Sequence, residues 1–322
     1  MFAAYKQLPL PVSHARTCTV AYGKHLEGYQ IALNTHAKHG DYHSYPTYLL
    51  DHPILDGLWS KELALLDVLL QELSKAKSEQ LEWLVWFDAD TVIMNKLIPL
   101  ETFLPPNERN DVHLLYTKDW NGLNNGVFLL RVLNWSLELL SSIVAYRSFK
   151  PEDKLPFTEH SAMDKVMQLD KYKHGAVECP PQWFNAYPSD GGDKDVHYDY
   201  RLGQMLVDKL EKNRTRWEIP LSRTNYEKQI EEFWRSLNKE RSQVQAERTK
   251  VDKEKAKENK AEGERADIDK KKADAIVGKV GGNAEANERH VHVDKHKLFS
   301  FLQHAPAKNE RAKGDQDPRR EV

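Results

Sequence analysis

Up to about residue 238 the chain alternates between two hydrophobic periods. "TCTVAYG" (Thr17 to Gly23) is rich in β-formers and closes on glycine, which predicts a strand, and "YPTYLL" (Tyr45 to Leu50) predicts a second. Between them "GYQIALNTHAKHGDYH" predicts a helix. Trp59, Leu63, Leu66, Leu70 and Leu73 then fall at four-three-four-three spacing, the apolar stripe of a further helix. "DVHLLYT" and "GVFLLRV" predict more strands. "NWSLELLSSIVAYRS" predicts a helix capped by Asn134, and "TEHSAMDKVMQLD" a short helix starting at Thr158. This alternation predicts an α/β fold in which a mixed, mostly parallel sheet is flanked by helices.

One segment departs from amphipathic patterning. In "EWLVWFDADTVIMN" five consecutive large apolar residues, Trp83 to Phe87, read as a strand buried on both faces. The run ends in Asp88 and Asp90, which lie on the same side of an extended chain while Ala89 points the other way. Charges at the end of a core strand are costly unless paired or bound to metal. The carboxyl end of a strand is also where open α/β sheets place their ligands. Two same-side carboxylates there form a hard oxygen site for Mn²⁺ or Mg²⁺, usually completed by substrate phosphates. Two chemistries fit. One is transfer from a nucleotide-sugar, with the cation neutralising the departing diphosphate. The other is haloacid-dehalogenase-type phosphohydrolysis, with the first Asp as nucleophile and the second as general acid. The latter expects its motif on the first strand of the domain, and here two strand candidates and a long helix precede it.

Composition changes sharply near residue 238. "ERTKVDKEKAKENKAEGERADIDKKKADA" and the residues after it are rich in Lys, Glu, Asp and Ala, so residues 239–322 are expected to be a charged, largely disordered tail. Local helix is expected between Lys239 and Ala275, with no coiled-coil stripe. The whole chain of 322 residues has a formal net charge of -2, which argues against a polybasic nucleic-acid binder. Its two cysteines, Cys18 and Cys179, exclude a disulfide scaffold and show no zinc-ligand spacing. No segment approaches the roughly 20 apolar residues of a membrane span, so the chain as given is expected to be soluble. Asn134 and Asn213 head glycosylation acceptor tripeptides.

"DGLWSKELALLDVLLQEL", "LEWLVWFDADTVIMNKLIPLETFLPP", "DWNGLNNGVFLLRVLNWSLELL", "EHSAM" and "PPQWFNAYPSD" occur in that order. Together they resemble the galactosyl/xylosyl/mannosyltransferases of glycosyltransferase family 34, from about Thr17 to Asp190 and more weakly to Trp234. The resemblance implies a GT-A-type, Rossmann-like domain over residues 14–238 and transfer of galactose or mannose from a UDP- or GDP-sugar to a glycan hydroxyl. It implies a divalent metal, usually Mn²⁺, retention of anomeric configuration, and residence at the Golgi membrane. Asp88 and Asp90 match the family's metal-binding D-x-D. The donor site implied by the resemblance comprises Thr19, Ala21 and Tyr22 at the first strand, Lys61 near the diphosphate, Asp88-Ala89-Asp90, and Asn124, Asn125 and Gly126 at the sugar. Glu159 would lie near the anomeric centre, with His160 where relatives often carry Gln. Trp183, Phe184 and Tyr187 form a candidate acceptor platform.

The match also departs from the family. Relatives follow "WFNAYPSD" with a strand ending in H-F-x-G, whose His completes the metal site. Here Gly203-Gln204-Met205-Leu206-Val207 passes directly to Asp208-Lys209-Leu210, leaving His197 as the candidate replacement ligand. These departures keep a second function open: a catalytically impaired relative that acts as a binding subunit, with the charged tail as the element that contacts a protein partner.

Overall fold

The computed structural model describes residues 15–23, 26–187 and 200–281. Six strands form one sheet: β1 (Ala15–Val20), β2 (Thr47–Leu50), β3 (Trp83–Phe87), β4 (Leu114–Asp119), β5 (Gly122–Arg131) and β6 (Ala176–Glu178). Their order is β2-β1-β3-β5-β4-β6. β1 pairs in parallel with β2 and β3, and β4 with β6, while β5 runs against both β3 and β4. Around the sheet lie α1 (Leu26–His43), α2 (Ser60–Leu73), α3 (Asn134–Phe149), α4 (Thr158–Met167), α5 (Tyr200–Lys212) and the single turn α6 (Arg214–Trp217). The expected α/β class and mixed, helix-flanked sheet are present.

The unbroken apolar run of β3 follows from its place in the sheet. Leu84 and Trp86 pack with Leu65, Leu69, Phe128 and Leu139 in the core on one face. Trp83, Val85 and Phe87 pack with Phe103, Leu129, Trp183 and Trp234 in the core on the other. With helices over one face and loops and helix over the other, neither set of side chains meets water, and all five residues are buried.

Some local expectations need correction. The buried face of α2 includes Lys61, Glu62, Leu65, Leu66, Leu69 and Glu72, whereas Leu70, placed on the apolar face by its spacing, is 53% exposed. The helix is rotated because ionic partners draw Lys61 and Glu72 inward, Glu72 pairing with Lys75 and Arg16. Asn134 does not cap α3. It is the first helical residue, Leu133 occupies the cap position, and the Ser136 hydroxyl donates to the Arg131 carbonyl at 2.5 Å. The stretch Gly203 to Val207, which the family resemblance implies to be a strand, lies inside α5.

The last helix, α7 (Tyr226–Gly281), begins on the folded domain, where Tyr226, Ile230, Phe233, Trp234 and Leu237 join the second core. The chain divides into two units between Gln243 and Val244. The local helix expected after Lys239 is therefore one continuous helix through the first half of the charged segment, made of good helix formers with opposite charges interspersed. Residues 282–322 lie outside the described residues, and so does the disorder expected of them. No described helix is long and apolar enough to cross a membrane.

Candidate active site

The β3–β5 ladder runs to the end of β3, where the Asp88 amide donates to the Gly126 carbonyl at 2.7 Å. That bond fixes Asp88 beside β5. Its Oδ1 accepts from the Trp86 indole at 2.7 Å and from the Lys61 ammonium at 2.9 Å. Lys61, in the first turn of α2, also meets the Asn125 carbonyl at 3.2 Å, the Asn125 Oδ1 at 3.3 Å and Glu159 Oε1 at 3.6 Å. Its ammonium lies 5.3 Å from the centre of the Trp86 ring. Lys61 is thus a buried internal cation that ties α2, β3, β5 and α4 together. Protein oxygens surround the ammonium that the resemblance places near the donor diphosphate.

Besides Asp88, three acids lie near this cation, with different consequences. Glu159 is 3% exposed and also accepts from the Thr158 hydroxyl at 2.5 Å. Glu62, fully buried, has its carboxyl pushed up to about 8 by burial, against the pull of Lys61. Asp90 is pushed up to about 7, first by burial and then by the neighbouring Asp88 charge. Burial would lower the Lys61 pKa, but Asp88, Glu159 and Glu62 together hold it above its ordinary value.

The Glu62 shift predicts a pH dependence of stability. A carboxyl whose folded pKa exceeds its unfolded one stabilises the fold below pH 4.5, and that contribution is lost as pH rises toward 8. The loss from this one group is on the order of 4 kcal/mol. Urea unfolding from pH 4.5 to 8 should therefore show a flatter profile for Glu62→Gln than for wild type, with the variant the more stable at pH 8.

Two cavities open on the carboxylate pair. The larger, about 580 Å³, gathers Ala21 and Tyr22 after β1, Lys61 from α2, Asp88, Ala89 and Asp90 after β3, Asn125 from β5, and Glu159 and His160 from α4. Thr19 does not line it. That side chain is buried within the sheet, on the opposite side of the strand from Val20, which does reach the cavity. The His160 Nε2 donates to the Leu123 carbonyl, joining α4 to the start of β5.

The smaller cavity, about 320 Å³, shares Asp88 and Asp90 as its wall and includes Asn124, Gly126, Trp183, Phe184 and Tyr187. Trp183 is chiefly a core residue, packed on Phe103 and Phe233. The Tyr187 hydroxyl donates to Asp119 at 2.8 Å, accepts from Asn124 at 2.9 Å, and its ring lies 4.6 Å from that of the exposed Trp120. "NGLNNG", expected to line the sugar pocket, is mostly strand. Gly122 takes the turn at φ +110°, and Asn124 to Gly126 sit in β5. Gly126 is needed for close approach, since a Cβ there would lie 3.1 Å from Asn124 Oδ1 and 3.5 Å from Asp88 Oδ2. Sequence reasoning missed Asn185, whose amide donates to Thr117 and Asn124, both at 2.9 Å. An isolated amide inside an aromatic run is the signal that marked it.

Thr158 is a β-branched residue at φ +47°, a strained backbone at the first position of α4. The strain aims Glu159 at Lys61. Thr158→Gly should raise stability by about 1 kcal/mol, the relief of strain less the greater chain entropy of glycine. The substitution also removes the hydroxyl partner of Glu159, and a melting curve against wild type checks the net sign.

Asp88 Oδ2 and the Asp90 carboxylate are hard oxygens, and Asp90 receives no side-chain hydrogen bond among the described residues. A cation would relieve the burial and like charge that raise its pKa. No cluster of three or more His, Cys, Asp or Glu residues able to hold a metal occurs among the described residues, and His197 lies outside them. The pair therefore fits a divalent cation whose other positions fall to phosphate or water.

Residues 105–208 match the family model described as the galactosyl transferase GMA12/MNN10 family. The chain is 31% identical over 113 residues to probable glycosyltransferase 7 of Oryza sativa subsp. indica, covering 34% of this chain and 24% of that protein. It is 32% identical over 108 residues to xyloglucan 6-xylosyltransferase 4 of Arabidopsis thaliana, covering 31% and 19%. With galactomannan galactosyltransferase 1 of Cyamopsis tetragonoloba it shares 30% over 108 residues, covering 31% and 23%. The chain spans about a quarter of the length of these curated relatives. Among solved structures, it is similar to a glycosyltransferase involved in glycosylation of the major capsid of PBCV-1 (TM-score 0.42, 16% identity, 52% of this chain and 81% of that one). The class that the family model and the curated relatives share is the glycosyltransferases. Within it, the match over residues 105–208 is to glycosyltransferase family 34, the GMA12/MNN10 family.

Proposed function

We propose that this chain moves a hexosyl group, galactose or mannose, from a nucleotide-sugar to a glycan hydroxyl with retention of configuration. The observation that carries the proposal is the shared wall: both cavities open on Asp88 and Asp90, so a donor in one and an acceptor in the other would meet at the pair. The larger cavity suits the donor, with Ala21 and Tyr22 at the base and Asn125 at the sugar. The smaller suits the acceptor, with the Asn185 amide oxygen and the rings of Phe184 and Tyr187 on its wall. A Mn²⁺ or Mg²⁺ held by Asp88 and Asp90 would neutralise charge on the departing diphosphate. Lys61 fixes the Asp88 carboxylate by holding Oδ1. Glu159, oriented by Lys61 and Thr158, places negative charge beside the cavity where the anomeric centre becomes positive. The protein supplies orientation and charge, and the leaving diphosphate takes the proton of the incoming hydroxyl. Residence at the Golgi membrane and a protein partner for the charged helix extend the same proposal, on family resemblance and composition respectively. The test is release of UDP or GDP from UDP-galactose or GDP-mannose in the presence of Mn²⁺ and a glycan acceptor. Folded protein that releases neither, under every such condition, overturns the transferase reading.

A second reading, a relative that binds donor without turning it over, is favoured by one observation. The stretch Gly203 to Asp208, where the resemblance implies a strand carrying a further metal ligand, is helix α5. Nucleotide binding without nucleotide release from the sugar identifies that case.

A further inference from the structure

Helix α1 carries His36, His39 and His43 at i, i+3 and i+7, one face of a helix. All three imidazoles point at backbone carbonyls of one irregular segment, the one that leaves the carboxylate pair. His36 Nε2 meets the Thr91 carbonyl at 2.7 Å and its hydroxyl oxygen at 3.1 Å, His39 Nε2 the Ile98 carbonyl at 2.9 Å, and His43 Nε2 the Lys96 carbonyl at 2.8 Å. A carbonyl only accepts, so each ring is the Nε2–H donor. Thr35, on the same helix, accepts the Ile93 amide at 2.9 Å. The bond at Thr91 reaches the site directly, because Thr91 donates its hydroxyl at 2.7 Å and its amide at 3.0 Å to the Asp88 carbonyl. His36 and His39 are 5% and 2% exposed, and His36 packs on Phe87 with ring centres 5.1 Å apart.

Residues 91–98 have no strand or helix of their own to satisfy their carbonyls, and several of them wall the smaller cavity. A buried carbonyl without a donor is costly, so a comb of three donors on a rigid helix fixes this loop where an apolar helix face would leave it adrift. We infer that His36, His39 and His43 are positioning residues: they hold segment Thr91–Ile98, and through Thr91 the orientation of Asp90 relative to Asp88 and the shape of the acceptor cavity. The positioning role rests on the transferase reading, whereas the holding of the segment does not.

The test compares wild type, His36→Leu and His36→Gln, the glutamine amide reaching about as far as Nε2. Amide hydrogen exchange is followed across residues 88–98, and Mn²⁺-dependent binding of UDP and GDP is titrated on the same proteins. His36→Leu should speed exchange in 91–98 and weaken nucleotide binding about tenfold while β3 and β5 stay protected, and His36→Gln should restore both. Unchanged exchange in His36→Leu overturns the comb. Faster exchange with unchanged nucleotide affinity overturns the positioning role, leaving a structural one. Wild-type protein that binds neither nucleotide overturns the transferase reading and the positioning role together, and the exchange data still decide whether the imidazoles hold the segment. Should His36→Leu not fold, His43→Leu, which releases only the Lys96 carbonyl, decides the holding of the segment by faster or unchanged exchange, and His36→Gln against wild type decides the positioning role by nucleotide affinity.

Discussion

Asp88→Asn is expected to abolish sugar transfer while leaving the fold intact. The amide is isosteric, and its oxygen can still accept from Trp86 and Lys61, the two bonds that seat the side chain. What disappears is the negative charge that helps hold a cation at the diphosphate. Losing about 4 kcal/mol of transition-state stabilisation corresponds to a fall of roughly 10³ in kcat/KM. Stability should fall by about 1–2 kcal/mol near pH 8, because buried Lys61 loses the charge of its closest carboxylate and the relief of Asp90 offsets only part of that. Steady-state rates together with a urea midpoint check both halves. A variant that keeps more than about a tenth of the activity would take Asp88 out of the chemistry.

Lys61→Met carries the largest expected stability effect. It removes the ammonium from among Asp88, Glu159 and Glu62, of which Glu159 and Glu62 are buried. Removing one partner of a buried charge cluster costs about 3–5 kcal/mol, because the remaining charges stay out of water. The carboxylates can escape the penalty by taking up protons, which is easier at low pH. The deficit relative to wild type should therefore be smallest near pH 5 and largest near pH 8. Chemical unfolding at both pH values measures it, and an equal deficit at each would show that methionine merely packs badly.

The sequence carried the sheet and the pair of carboxylates more fully than it carried the support around them. The run from Trp83 to Phe87 could only be a strand covered on both faces, and the same-side placement of Asp88 and Asp90 followed from strand geometry. The helix α2 was legible as a helix but not in its rotation, since spacing counts Leu70 as apolar and cannot know that Lys61 and Glu72 find ionic partners inside. Asn134 has the composition of a cap, yet Leu133 takes that position and the Ser136 hydroxyl satisfies a neighbouring carbonyl. Thr19 was one residue out of register with the cavity, a slip that reverses the side of a strand. The three histidines of α1 could not be read at all. Their partners are carbonyls 53 to 59 residues away, and a backbone carbonyl leaves no trace in the letters of a sequence.

The central claim is that Asp88 and Asp90 form one cation-dependent site for a nucleotide diphosphate. The most direct measurement is the melting temperature of the purified chain with UDP and with GDP, each with and without Mn²⁺, repeated with Asp88→Asn. A ligand at 100 times its dissociation constant that binds only folded protein adds about 2.7 kcal/mol, a rise of several degrees in a domain of this size. The account predicts that rise for one nucleotide, only when Mn²⁺ is present, and its loss in Asp88→Asn. A rise that ignores Mn²⁺ or survives the substitution, or no rise with either nucleotide from a cooperatively melting protein, would contradict it.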